Sequence, residues 1–252
     1  MTAQRTTRKR DWFNNQPGAW VMVMLPAVAG FIIGGPTLDA LWLLAAWAAC
    51  YCVQYSAARW FKSRFSSRYL PPMITYAAVL AVIGVPFLIT HIGILRWAPL
   101  YIVLVALSML SSWLRKERSL WGNAVSVIAA STMTTVVAQF GSNGITYQTY
   151  WATVLFTLTQ YGSVLVVKTM IRERGKRSYV VASWIWHVML VVLAIVAGHN
   201  PFLITMSVLL LARAIALPVA AGYRTMKPVV TGITEAFASL IAFGCILAAV
   251  LM

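Results

Sequence analysis

Nine apolar runs, each long enough to cross a bilayer as a helix, occupy almost all of this 252-residue chain. A transmembrane helix needs about 20 apolar residues, whereas the strands of a membrane β-barrel have about ten residues of alternating polarity. The runs are continuous, so the sequence predicts helices. The predicted spans are 18–34, 38–61, 71–90, 95–114, 120–140, 146–171, 179–197, 202–222 and 229–252.

The composition agrees with a polytopic membrane protein. Charged residues make up 10% of the chain and hydrophobic residues 61%, whereas soluble domains carry about 25% charged residues. A basic tail before an apolar run is typical of a signal peptide, but eight more apolar runs follow, so the first run is interpreted as a span. We therefore expect an all-α membrane protein with a basic cytoplasmic tail at 1–17 and one transmembrane domain at 18–252.

The positions of the basic residues predict the orientation. Eighteen of the 20 Lys and Arg residues lie in the tail or in loops on the same side, while Arg96 lies on the opposite side and Arg213 inside a span. Positive charge is retained in the cytoplasm, which predicts an inner-membrane protein with its N-terminus inside and its C-terminus outside. No nucleic-acid-binding motif accompanies the charge, so we expect membrane lipids as partners and no nucleic acid.

Six ionisable or amide-bearing residues lie on six different spans, in or near the predicted cytoplasmic half. Polar groups are costly in hydrocarbon and usually face the protein interior. The six side chains therefore either line one polar cavity that opens to the basic loops or make separate interhelical hydrogen bonds. They are Gln54, Asn123, Gln160, His187, Arg213 and Glu235.

Arg213 and Glu235 are the one base and the one acid placed well inside spans. Counting inward at 1.5 Å per residue places them at depths of roughly 16 and 12 Å on adjacent antiparallel helices. The sequence therefore predicts a salt bridge, either structural or part of a ligand or proton site. His187 is either a hydrogen-bonded packing residue or a proton carrier.

The basic loop after the sixth span is a candidate phosphate contact. Lys168, Arg172 and Lys176 are spaced by four residues and form one cationic stripe if the helix persists to Gly175. Together with Arg59, the stripe can bind a phosphate without a metal or can extend to lipid headgroups. The three cysteines provide no converging ligand set, so neither a metal site nor a cofactor is expected.

Several segments resemble the YwiC-like family of bacterial integral membrane proteins. They are residues 14–26 (NNQPGAWVMVMLP), 55–60 (YSAARW) and 172–177 (RERGKR), the last followed by Ser183 and His187. Members commonly carry His where this chain has Pro17. The resemblance extends over most of the chain.

A more distant similarity is to the UbiA-type prenyltransferases, which are also nine-helix proteins with the N-terminus inside. It implies a UbiA-like bundle with a cytoplasm-facing pocket. Members of that family bind Mg²⁺ and a prenyl diphosphate with two Asp-rich motifs, but the corresponding stretches 54–59 (QYSAAR) and 168–177 (KTMIRERGKR) contain no Asp. Mg²⁺ requires oxygen ligands, so ordinary metal-dependent prenyl transfer is not expected.

Three functions follow from these features. The first is binding of an anionic amphiphile, such as a polyprenyl phosphate or a phospholipid, without ordinary metal-dependent catalysis. The second is small-solute or proton-coupled transport, with His187, Arg213 and Glu235 as an intramembrane relay. The third is a divergent prenyltransferase.

Overall fold

Nine α-helices that match the predicted spans follow one another in the computed structural model, which describes residues 11–14, 17–223 and 228–252. The described part of the chain contains no strand. The helices are α1 (Pro17–Ile33), α2 (Leu38–Lys62), α3 (Leu70–Thr90), α4 (Ala98–Trp113), α5 (Leu120–Ala138), α6 (Tyr147–Val167), α7 (Arg177–Val196), α8 (Pro201–Tyr223) and α9 (Pro228–Leu251).

These helices match the nine predicted spans. Within the described ranges, the eight from α2 to α9 are long and apolar enough to cross a membrane, and α1 adds a shorter apolar helix at Gly18–Ile33. This set of helices is that of a multi-pass membrane protein. Most of the predicted basic tail lies outside the described residues, as do residues 224–227 of the predicted turn between α8 and α9.

Side-chain caps and prolines mark where the helices begin. The hydroxyl of Thr37 accepts a hydrogen bond from the Ala40 amide at the start of α2, and Ser119 does the same for Gly122 in α5. Thr146 and Thr149 form a reciprocal capping box at the start of α6. Such caps satisfy amide groups that have no partner within the helix.

Helices α1, α5, α6 and α9 form the centre of the bundle. Helix α1 packs against α5 and α9, and α6 contacts α5, α7 and α9. Helices α2, α3 and α4 form one flank, and α7 and α8 form the other. The long apolar stretches of α3 and α4 are almost entirely unburied by protein, as expected for helices that face lipid.

The contact between α1 and α5 depends on the small size of Gly30. A Cβ atom at this position would overlap the carbonyl oxygen of Thr134 on α5. The Thr134 hydroxyl donates to the Pro26 carbonyl oxygen at 3.0 Å, which joins the same two helices. Small residues allow membrane helices to approach closely, and Gly30 has this role here.

Candidate functional site

Helices α8 and α9 bring Arg213 and Glu235 together inside the bundle. Nη1 of Arg213 lies 2.9 Å from Oε2 of Glu235, and the two side chains are only 8% and 7% exposed. The salt bridge that the sequence predicted is therefore confirmed. Two residues from other helices complete this arrangement, which we call the ion cluster: Ser163 of α6 and His187 of α7.

His187 contacts the guanidinium group of Arg213 from α7. Its Nδ1 lies 2.7 Å from the Ser183 carbonyl oxygen, and its Nε2 lies 3.4 Å from Nη2 of Arg213. A carbonyl oxygen only accepts, so Nδ1 carries the hydrogen and the neutral ring accepts from Arg213 through Nε2. A second proton on His187 would place one cation beside another. His187 therefore positions Arg213 and is poorly suited to carry protons.

Two residues of α6 that the sequence reasoning missed shape the ion cluster. Nη1 of Arg213 also donates to Oγ of Ser163 at 3.3 Å. A Cβ atom at Gly162 would lie 3.1 Å from Nε2 of His187 and 3.1 Å from the ring of Trp186, which is tighter than most Cβ contacts, so glycine favours the close approach of α7 to α6. The available signal was that Gly162 and Ser163 both lie close to Gln160 in the sequence, with Ser163 about one turn after it.

The ion cluster contains buried polar atoms without a hydrogen-bond partner. Among the described residues these include Nε of Arg213 and Oε1 of Glu235. Oγ of Ser183, whose carbonyl oxygen contacts His187, is also buried without a partner. Each such group costs about 1–3 kcal/mol, and charged groups cost more. The ion pair thus leaves Nε of Arg213 and one carboxylate oxygen of Glu235 without a hydrogen bond. Nε can donate one more hydrogen bond, and the carboxylate oxygen can accept one.

Gln160 lies beside the ion cluster on α6. Its Nε2 donates to the Met22 carbonyl oxygen on α1 at 3.0 Å, while its buried Oε1 has no partner. Gln160, Ser163 and Ser239 help to line a cavity of about 10 Å³. This is about the space that one water molecule requires.

Two of the six predicted cavity residues lie elsewhere. Gln54 on α2 donates to Oγ of Ser108 on α4 at 3.0 Å. Asn123 donates to the Ser119 carbonyl oxygen at the start of its own helix, at 2.9 Å. These two residues therefore make separate hydrogen bonds, which was the alternative to a shared cavity. The other four lie in or beside the ion cluster.

The predicted cationic stripe is wrong. Helix α6 continues into a short π-helix at Lys168–Arg172 and then ends, and Gly175 turns the chain with a φ of +83°. This left-handed conformation favours glycine. It ends the helical geometry in which residues four apart lie on the same face. Lys176 therefore does not continue the row that begins with Lys168 and Arg172.

Three of the four predicted phosphate contacts already have protein partners, and the fourth, Arg172, is exposed. Nζ of Lys168 is buried and donates to the Arg118 carbonyl oxygen at 2.6 Å, while Arg172 is exposed. Lys176 forms an ion pair with Glu173 at 2.7 Å, and this hydrogen bond lowers the pKa of Glu173 and raises that of Lys176. Arg59 pairs with the buried carboxylate of Asp11 at 3.2 Å.

No group of three or more His, Cys, Asp or Glu side chains within the described ranges is arranged to hold a metal ion. The cysteines at 50, 52 and 245 are free thiols.

Comparison with known proteins places the chain in a family. The family model described as YwiC-like protein matches residues 13–138, which is half of the chain and includes α1 to α5. The chain belongs to the YwiC-like family.

Two curated relatives agree with this assignment. This YwiC-like chain is 26% identical over 184 residues to an uncharacterized protein of Haemophilus influenzae, covering 73% of this chain and 77% of that protein. It is 25% identical over 189 residues to the uncharacterized protein YwiC of Bacillus subtilis, with the same shares covered. No solved structure matches the chain significantly.

Proposed function

We propose that this YwiC-like protein is an ion-coupled membrane transporter in which Glu235 exchanges a proton. The observation that carries the proposal is the buried ion cluster, in which Arg213 and Glu235 pair at 2.9 Å and each keeps a buried polar atom without a partner. Ionisable residues inside membrane spans are rare and mark ion pathways and proton relays.

The energetic cost of the ion cluster supports this proposal over a purely structural role. Each charge alone near the bilayer centre costs about 2.5–3.5 kcal/mol on insertion scales. A buried ion pair often contributes no more stability than well-packed apolar residues of similar volume. A purely structural contact between α8 and α9 would therefore not require Arg213 and Glu235, whereas proton exchange requires an ionisable group.

The orientation and the membrane belong to the same proposal. We place the protein in the bacterial inner membrane with its N-terminus inside and its C-terminus outside. The support is the alternation of basic and nearly uncharged connections along the sequence. In this orientation the ion cluster lies slightly nearer the cytoplasmic side, because Arg213 and Glu235 are 11 and 8 residues in sequence from Arg224 and Lys227.

Thiol labelling tests the proposal without knowledge of the substrate. Ser239 lines the cavity beside the ion cluster, so Ser239→Cys is introduced into a variant whose three native cysteines have been replaced. We expect membrane-impermeant reagents to label it in vesicles, with the accessible side depending on pH. A rigid structural ion pair predicts no labelling from either side at any pH, and that result would refute transport through this site.

Two further cysteines control this experiment. Leu240 is adjacent but 48% exposed on the outside of the bundle, so Leu240→Cys faces lipid and should resist water-soluble reagents. Met252 is 92% exposed at the end of the chain, so Met252→Cys corrects for the pH dependence of the thiol reaction. Equal labelling at 239 and 240 would mean that the reagent is not reporting access to the cavity.

Binding of an anionic amphiphile is a second candidate, favoured by a different observation. The outer face of α7 forms an open apolar groove of about 500 Å³ between Val181 and Leu193. The exposed basic residues Arg174, Lys176 and Arg177 lie at the N-terminal end of this helix, with Lys176 paired to Glu173 and Arg174 donating to the Ala221 carbonyl oxygen. An apolar tail in the groove would place an acidic headgroup at these residues.

A UbiA-like arrangement of the helices belongs to this second candidate, and the number of helices supports it. Mass spectrometry of lipids that co-purify with the protein tests it. We expect enrichment of a polyprenyl phosphate or of one anionic phospholipid. Replacing the three basic residues by Gln should abolish this enrichment. A lipid profile equal to that of the bulk membrane would refute the candidate.

A further inference from the structure

We infer that the ion cluster binds a small monovalent anion at Arg213 when Glu235 is protonated, so that the transported solute is such an anion. This inference rests on the proposed transport function and names its substrate class. It follows from the hydrogen bonds of the guanidinium group, the charges around it and the size of the adjoining cavity.

The guanidinium group of Arg213 is only partly occupied. Nη1 contacts one oxygen of Glu235 at 2.9 Å and Oγ of Ser163 at 3.3 Å, and Nη2 faces the acceptor nitrogen of His187. Nε is buried without a partner. A guanidinium group binds a carboxylate best through two parallel hydrogen bonds, which Glu235 does not make. Nε of Arg213 can therefore donate a hydrogen bond to a second acceptor.

Glu235 supplies the counter-charge of Arg213. Helix α1 contains no ionisable residue, and α6 contributes the neutral side chains of Gln160 and Ser163. His187 on α7 is neutral in its hydrogen-bonded form, and Lys168 in the π-helix donates to a backbone carbonyl oxygen. In the described part of the chain no second acid forms an ion pair with Arg213.

Protonation of Glu235 would leave Arg213 charged and without a counter-charge. An unpaired charge at this depth costs about 2.5–3.5 kcal/mol on insertion scales. A bound anion restores neutrality, so the proton and the anion each favour binding of the other. The ion cluster then has the same net charge with both bound as with neither, which makes their joint movement electroneutral.

The cavity beside the ion cluster limits the size of the anion. Its volume of about 10 Å³ corresponds to one water molecule. Ser163 is the residue of the ion cluster that lines this cavity, so an anion at Arg213 requires the helices to separate slightly there. A chloride ion or a short carboxylate requires a smaller separation than a sugar acid. The substrate class is therefore a small monovalent anion.

Thermal unfolding of the full-length protein in detergent tests this inference without a transport assay. Glu235→Gln imitates the protonated acid, and sodium chloride and sodium acetate are compared with sodium gluconate at equal ionic strength. We expect chloride, acetate or both to raise the Tm of this variant by about 3–6 °C for each tenfold increase above the Kd. The same salts should have no such effect on wild-type protein in alkaline buffer.

The double variant Glu235→Gln with Arg213→Gln is the matched control and should lose the effect. The inference is overturned if neither anion exceeds gluconate, or if the double variant responds equally. Should Glu235→Gln fail to fold, wild-type protein in weak buffer provides the second measurement. It should take up protons when chloride or acetate is added, and an unchanged pH for both anions overturns the inference.

The two proposals fail in distinguishable ways. If an anion binds but Ser239→Cys shows no pH-dependent labelling, the transport proposal is refuted and the anion-binding site stands. If Ser239→Cys is labelled as expected but no anion has an effect, the transport proposal stands and the inference that the substrate is an anion is overturned.

Discussion

Replacing Glu235 by Gln tests how strongly the bundle depends on the ion pair. At the 2.9 Å contact with Arg213, the Coulomb attraction is about 6 kcal/mol at an effective dielectric constant of about 20. Desolvation of both charges cancels part of this attraction. Removing one partner of a buried pair nevertheless costs about 3–5 kcal/mol, because the other charge stays buried and unpaired.

The assay is unfolding in mixed micelles, compared with an exposed pair of the same chemistry. Lys62 and Glu117 lie 3.0 Å apart, but their side chains are 49% and 27% exposed. Replacing Glu117 by Gln should therefore lower the free energy of unfolding by about 0–1 kcal/mol. Glu235→Gln should lower it several times more.

The double variant Arg213→Gln with Glu235→Gln removes both charges and should recover most of the lost stability. A loss for Glu235→Gln no larger than for Glu117→Gln would refute the reasoning, as would a double variant less stable than either single variant. Either result would mean that water or lipid headgroups reach the pair and screen it.

Three further changes test the packing around the site by unfolding and by abundance. Gly162→Ala should cost about 1–3 kcal/mol by pushing His187 away from α6, and an unchanged stability would show that α7 adjusts freely. Gly30→Ala should cost at least as much because its Cβ meets backbone, whereas Gly244→Ala, with open space around it, should be neutral or stabilising. Lys168→Met should cost about 1–3 kcal/mol by leaving a carbonyl oxygen unpaired, and no loss would mean that water replaces the ammonium group.

The sequence predicted the helices well because hydropathy alone decides which segments enter a membrane. It also predicted the Arg213–Glu235 pair, since opposite charges at similar depths on adjacent antiparallel helices have few alternatives to pairing. Depth was less informative for Gln54 and Asn123. Their partners depend on which way each helix faces, and the sequence of a uniformly apolar helix does not reveal this.

The errors at the end of α6 have a local cause. A four-residue spacing predicts a stripe only while the helix is regular, and the π-helix followed by Gly175 ends that regularity. Gly162 and Ser163 were missed for a related reason. A small residue in an apolar span shows its purpose only when the neighbouring helix, here α7 with His187, is in place.

Infrared difference spectroscopy between acidic and alkaline buffers tests most directly whether Glu235 exchanges a proton. Our account predicts a C=O band of a protonated carboxylic acid that appears in the wild-type protein at acidic pH and is missing in Glu235→Gln. Asp11→Asn and Glu117→Gln should retain this band. Identical difference spectra for wild type and Glu235→Gln would contradict the account and leave the ion cluster as a static contact between helices.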